Sequence, residues 1–246
     1  MARVLIAGES WSTTSIHVKG ADTFTTAAYE EGVEPLRSAL LAAAHDVTFM
    51  PNHVAAEEFP YSVGELTSWD VVLLSDIGSN TLLVPPATFV RFEARPNRLA
   101  ALREWVHAGG GLGMIGGYLS FGGIEGKANY ARTPLAEVLP VEIEQGDDRV
   151  ETPEDSEPRC VAEHEITAGL AERWPALLGY QRLTARREAQ VLARLNGDPL
   201  LVVGGHGAGR TLAFASDIGP HWAPPAFVAW DGYARLWDQA VCWLAG

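Results

Sequence analysis

Along the first half of the chain, short uninterrupted apolar runs alternate with segments of helical spacing. "RVLIAG" (3–8), "DVTFMP" (46–51), "DVVLLSD" (70–76) and "GLGMIGG" (111–117) are runs of the kind found in strands buried on both faces of a parallel sheet. Between them, residues 32–45 place Leu36, Leu40, Leu41 and Ala44 at helical spacing. "SVGELTSW" (62–69) predicts a short helix with Ser62 as N-cap, and "NRLAALREWVHAGG" (97–110) predicts a helix ending in glycine. Strand–helix alternation implies right-handed crossovers, and a ligand site beyond the C-terminal ends of the strands.

The pattern changes near residue 140. "VEIEQGDDRVETPEDSEPRC" (141–160) is acidic and interrupted by Pro153 and Pro158, which predicts a strand followed by an exposed loop, an excursion over about 142–160. A divalent-cation site at Asp147, Asp148 and Glu151 is the alternative, although their spacing is not that of a calcium loop. Residues 189–217 then give three apolar runs separated by "NGD" and "GGHGAG", a strand meander. "GGHGAGRT" (204–211) has the outline of a phosphate-binding loop with Arg210 in place of lysine. "RTLAFAS" after it reads as a strand where a phosphate loop needs a helix, so the glycines predict a hairpin turn. In the last segment Phe227, Trp230, Trp237, Val241 and Leu244 form the apolar stripe of a helix.

With 246 residues, 47% hydrophobic and 20% charged, the chain has the composition of one globular domain spanning 1–246. A net charge of −13 argues against nucleic acid as a partner. No apolar run is long enough for a membrane span, and "MARVLIAGES" reads as a first strand and not as a signal peptide, so a cytoplasmic protein is expected. The two cysteines fit a reducing compartment and offer no metal-ligand spacing. Cys242, in the apolar run "AVCWLAG", reads as a buried structural thiol, and Cys160 follows the acidic segment.

Candidate chemistry gathers where strands end. After strand one come Glu9, Ser10, His17 and Lys19; after strand three, Ser75, Asp76 and Asn80. The strand "LAFAS" leads to Asp217 and His221. In "GGGLGMIGGYLSFGG" (109–123) the glycine turn has the grammar of a nucleophile elbow, yet the corner residues are Gly116 and Gly117, followed by Tyr118 and Ser120. Asp217 reads equally as a turn cap and Tyr118 equally as packing. Four such ends in one sheet would converge on one crevice binding a small polar molecule.

The order "RVLIAGES", "DVVLLSDIGSN", "GGGLGMIGGYLSFGG" and "GHGAGRTLAFASDIGPHW" resembles the class I glutamine amidotransferase-like superfamily, in particular its putative glutamine amidotransferase and trehalose-utilisation-like branch. The resemblance implies an α/β, flavodoxin-like three-layer sandwich with a mainly parallel sheet and an antiparallel C-terminal strand extension. True amidotransferases carry a Cys at the elbow and a His-x-Glu pair after a later strand. The matching positions here are Gly116 or Gly117, and Ala215 and Asp217, so the resemblance implies the fold without glutamine hydrolysis. Ligand-binding candidates are Glu9, Ser10, Asp76, Asn80, Gly116, Gly117, Tyr118, Asp217 and His221, for a small and in one version polyhydroxylated molecule. The alternatives are a hydrolase or isomerase using Asp217 or Glu9 with His221, assisted by a metal on His17 or His206, and a structural or assembly module. No cofactor is specified, and homo-oligomerisation stays open.

Overall fold

A computed structural model describes residues 1–246, apart from the side chain of Asp155. Strands β1 (Arg3–Gly8), β4 (Asp46–Met50), β5 (Val71–Ser75), β6 (Gly111–Ile115) and β14 (Gly209–Phe214) run parallel in the spatial order β4-β1-β5-β6-β14. Beyond β14 the same sheet continues antiparallel through β13 (Asp198–His206), β12 (Gln190–Leu195) and β9 (Arg159–Cys160). The strands of "DVVLLSD" and "GLGMIGG" are buried throughout, as two-sided coverage by helices requires.

Chain direction reverses once among the parallel strands. From β1 the chain passes through α1 (Glu34–Ala42) to β4 on one side. It then crosses back through α2 (Asn52–Glu58) and α3 (Val63–Leu66) to β5 on the other side of β1. Right-handed crossovers in opposite directions put their helices on opposite faces. Accordingly α1 packs with the C-terminal helix α8 (Asp231–Ala245), while α3 and α4 (Ser79–Leu83) pack with α6 (Arg98–His107), α5 (Pro86–Phe89) lying beside α2. The arrangement is an α/β flavodoxin-like sandwich whose switch point lies between β1 and β5. Ser62 caps α3 in a reciprocal capping box with Glu65, and Asn97 caps α6 through the amides of Leu99 and Ala100.

Three stretches differ from the reading of the sequence. Residues 10–31, overlapping the 7–20 stretch expected as a polar strand end, form β2 (Ser10–Lys19) and β3 (Asp22–Glu31), a hairpin paired with no other strand. Its Ser/Thr-rich strands leave Ile16, Val18, Phe24 and Tyr29 exposed, unlike the buried apolar residues of the central sheet. Within the acidic excursion, β7 (Val141–Ile143) is followed by a further strand, β8 (Arg149–Ser156), where a loop was expected. These pair with β11 (Leu183–Ala185) and β10 (Leu177–Gln181), which tolerate Pro153 at a sheet edge. The terminal stripe is split between α7 (Pro225–Val228) and α8. Cys242 is exposed: the buried face of α8 runs through Leu236, Trp237, Ala240, Val241 and Leu244, and the residue after Val241 turns away by about 100°.

Candidate functional site

Register aligns the ends of the parallel strands. Gly8 lies opposite Ser75, Ser75 opposite Ile115, and Ile115 opposite Phe214, so Glu9, Asp76, Gly116 and the 215–217 segment emerge at the same edge. Glu9 and Asp76 flank the switch point itself. Both have left-handed backbones, with φ of 47° and 43°, as does His221 at 82°. Such conformations cost non-glycine residues about 1–3 kcal/mol each and persist where surrounding structure imposes them. Three of them meet around one cluster.

Glu9 and Asp217 have no exposed surface, and Asp76 has 9%. Ser75 Oγ donates to Glu9 Oε2 at 2.5 Å, while Glu9 Oε1 has no partner other than the neighbouring acid. Asp217 Oδ1 accepts from the amides of Ile218 (2.7 Å) and Gly219 (3.3 Å), and its Oδ2 faces His221 Nδ1 at 3.8 Å. Asp76 Oδ1 accepts from the Leu119 amide at 2.6 Å, and the Asp76 amide donates to Ser120 Oγ at 3.1 Å.

Burial pushes the Glu9 carboxyl well up, and the adjacent Asp217 and Asp76 charges push it further. Burial and then the charge of Asp217 raise Asp76 to about 6. Asp217 is raised by burial too, against the opposing pull of His221, whose own proton is held more tightly by the nearby Asp217 carboxylate. Three carboxyls therefore face a single exposed cation donor.

Aromatic rings gather beside the acid cluster. The His221 ring lies 5.5 Å from Tyr118 in a stacked geometry and 5.0 Å from Trp11, Trp222 meets Tyr118 edge-on at 5.6 Å, and the Arg149 guanidinium sits over Tyr118 at 5.1 Å. Ser10 accepts from the Asn52 amide through Oγ (2.8 Å) and from Asn52 Nδ2 through its carbonyl (2.6 Å). Asn52 also reaches the Asp76 carbonyl at 3.2 Å.

The glycine turn is packed to contact. A Cβ on Gly116 would lie 2.5 Å from Gln181 Oε1, 2.6 Å from the Ala215 carbonyl oxygen and 2.7 Å from that of Ser216. One on Gly117, whose φ of 135° already excludes most side chains, would meet Asp76 Cβ at 2.8 Å. Gln181 donates through Nε2 to the Gly117 carbonyl, filling the corner where a nucleophile would stand.

Several residues expected at the site lie elsewhere. His17 stacks on Phe24 and Lys19 lies over the same ring, both near the hairpin tip. His206 ends β13 beside His107, at the opposite edge of the sheet. Asn80 is exposed in α4, and its side chain joins none of the cluster's hydrogen bonds. Asp147 pairs with Arg149, Asp148 accepts from the amides of Gly122 and Gly123, and Glu151 accepts from Trp222 Nε1, so each acid proposed for a cation is engaged by the protein. A different trio, His45, Asp238 and Cys242, brings possible ligand atoms within 4.8 Å of one another. The Ala2 amide donates to His45 Nδ1 at 3.2 Å, leaving the ring proton on Nε2, which donates to Asp238 at 2.9 Å. That imidazole has no lone pair to spare for a metal.

Trp11, Asn52, Gln181 and Tyr233 were not anticipated. Asn52 follows strand β4 as Glu9 follows β1, so the same strand-end rule applied to "DVTFMPN" finds it. Tyr233, which donates to the Ile218 carbonyl at 2.8 Å and feels the charges of Glu9 and Asp217, lies on a distant helix and carries no local signal.

A family model described as "putative glutamine amidotransferase" matches residues 3–246. Two solved structures of Salmonella typhimurium proteins, each described as a cytoplasmic protein, are both 46% identical to this chain. One covers 98% of each chain with a TM-score of 0.96; the other, from strain LT2, covers 98% of this chain and 99% of its own with 0.95. A ThuA-like protein from Parabacteroides merdae shares the fold at 12% identity, with a TM-score of 0.60 over 99% of this chain and 89% of its own. No curated protein matches the chain in sequence, and no helix among the described residues is long and apolar enough to cross a membrane.

Proposed function

The chain belongs to the putative glutamine amidotransferase family, and from that membership we propose that it is a cytoplasmic member that binds a small polar molecule at the β1–β5 crevice without the amidotransferase nucleophile. The observation that carries this reading is the closure of Gly116, whose missing side chain has three oxygen atoms within 2.7 Å of where its Cβ would be. A cysteine there would need the Gln181 side chain and the 215–216 backbone to move. What remains is a cluster of acids: Asp76 near the surface, with Glu9 and Asp217 behind it, beside the rings of Trp11, Tyr118 and His221. Carboxyl groups take up hydroxyl hydrogens and aromatic faces cover C–H surfaces, so a polyhydroxylated molecule suits both. It enters by displacing the Tyr118–His221 stack.

Pure protein incubated with glutamine should release no ammonia; release that depends on Cys160 or Cys242 would overturn the reading. In a thermal-shift series with glucose, trehalose and myo-inositol, at least one should raise Tm in the wild type and not in Asp76→Asn, by mass action on the folded state. Absence of any shift at saturating concentrations would remove the polyhydroxylated ligand.

A second reading rests on the Asp217–His221 pair. A fully buried acid behind a 37%-exposed imidazole is how a general base is oriented. Hydrolysis of p-nitrophenyl esters or glycosides, with a pH profile that follows His221 and is lost in His221→Ala, would favour it over binding alone.

A further inference from the structure

Three arginines stand side by side at the antiparallel end of the main sheet. Arg194 of β12 lies opposite Arg159 of β9, and Arg159 in turn forms an isolated antiparallel bridge with Arg173. Two amides secure that bridge: Cys160 donates to the Glu172 carbonyl, and Trp174 donates to that of Pro158. Directly opposed residues share a face and sit about 4.5–5.5 Å apart at Cα, so the three side chains form one rank across neighbouring strands. Like charges placed opposite one another weaken a sheet. They do so here in a chain with 18 Lys and Arg against 31 Asp and Glu, where acids to separate them are plentiful.

The rank borders a cavity. About 490 Å³ of space lies against Ser156, Glu157, Arg159, Arg194 and Asn196, a volume in the range of small-molecule sites. Asn196 Nδ2 donates to Ser156 Oγ at 3.0 Å, joining the end of β8 to the turn between β12 and β13 and leaving the serine proton to be donated. Arg194 is half-buried, and its Nη1 donates to the Gly197 carbonyl at 2.8 Å, so its guanidinium is held at that turn with most of its N–H donors left over. Among the described residues neither Arg159 nor Arg194 forms an ion pair, and the acid lining the cavity, Glu157, is 3.5 Å from Arg173.

We propose that this cavity is a second binding site, taking a small molecule through a phosphate or carboxylate group held between the Arg159 and Arg194 guanidiniums. A guanidinium presents paired N–H groups that match two oxygens of either anion. Ser156 Oγ and Asn196 Nδ2 add neutral donors for the rest of the molecule. An anion seated there also relieves the repulsion within the rank, so the feature that weakens the empty sheet is the one that recognises the ligand. Strands β6, β14 and β13 separate the site from the β1–β5 crevice, and the proposal does not rest on what that crevice binds.

Isothermal titration of the full chain with inorganic pyrophosphate and with succinate tests the site, the first arm reporting a phosphate-bearing ligand and the second a carboxylate-bearing one. At least one probe should bind saturably. Arg159→Gln and Arg194→Gln should each weaken that binding about tenfold or more, as the loss of a charge-assisted hydrogen bond implies. Arg194→Lys keeps the charge and loses the fork, so it should weaken binding too. Arg187→Gln removes an exposed arginine at the other end of β12 and should leave binding unchanged. Circular dichroism checks that each variant folds, and Arg159→Gln, at an exposed position with no ion pair among the described residues, keeps the test decisive if the loss of the Gly197 bond unfolds Arg194→Gln. Neither probe binding the wild type at millimolar concentration would overturn the proposal, as would binding that survives in both glutamine variants. An equal loss in Arg187→Gln would do the same, since that result reports net charge alone.

Discussion

Ser75 Oγ donates to Glu9 Oε2 at 2.5 Å, tying the end of β5 to the end of β1 inside a cluster of acids. Both groups are sealed from water, so nothing replaces the hydroxyl if it is removed. Ser75→Ala should therefore cost about 1–3 kcal/mol. Glu9→Gln keeps an acceptor for Ser75 and ends the competition for protons among the acids, so its stability at pH 8 should equal or exceed that of the wild type. Urea unfolding of both variants decides the matter, and a Ser75→Ala variant as stable as its parent would show that the bond does not hold the cluster.

Asp76 should make stability fall as pH rises. Its pKa in the folded protein, about 6, exceeds the ordinary 3.8. A carboxyl that grips its proton harder when folded contributes fully below the unfolded value and loses that contribution as pH climbs through the folded one. A shift of this size corresponds to about 3 kcal/mol between pH 4 and pH 7. Asp148, lifted to about 6 by burial, fades in the same window, so the comparison has to be between variants. Asp76→Asn retains an acceptor for the Leu119 amide, and its Tm relative to wild type should improve steadily from pH 4 to pH 7.5; a constant offset would mean that Asp76 ionises freely.

His221 titrates in the opposite sense of charge but with the same sign of linkage. Its proton is held by Asp217 first and by the charge of Asp76 as well, so its pKa lies above the ordinary 6.5. The pairing stabilises the folded state below pH 6.5, and the benefit disappears as pH rises through the raised value. Asp217→Asn should bring the His221 titration, followed by the imidazole C–H resonance, down toward the ordinary range. An unmoved midpoint would separate the two residues functionally despite their 3.8 Å spacing.

Much of the frame was legible because burial on both faces writes continuous apolar runs: β1, β5, β6 and the β12–β14 meander each follow from such a run bounded by turn residues. Glu9, Asp76 and Asp217 were reachable by one topological rule, that ligand sites form where parallel strands end. The β2–β3 hairpin escaped the same reasoning. Thr14, Ile16 and Val18 alternate, but in so short and polar a stretch "STTSIHVKG" reads as the polar end of strand one. His17 was misplaced with it. Gln181 and Tyr233 reach the site from β10 and α8, and contacts formed across that separation leave no mark on local sequence.

Restoring the family's nucleophile should not restore a glutaminase. The Gly116 Cβ position is within 2.7 Å of one side-chain and two backbone oxygens, and backbone cannot swing aside as a rotamer can. Gly116→Cys must therefore displace the 215–216 segment, which carries Asp217 into the cluster, and overpacking of this kind costs about 1–3 kcal/mol or more. Gly116→Ala separates steric cost from chemistry, since it adds the Cβ alone. Both should lower Tm by similar amounts, and neither should release ammonia from glutamine. A Gly116→Cys protein with wild-type Tm would show that the turn has room for a side chain. Ammonia release from that protein would show that the rest of an amidotransferase site survives in the chain.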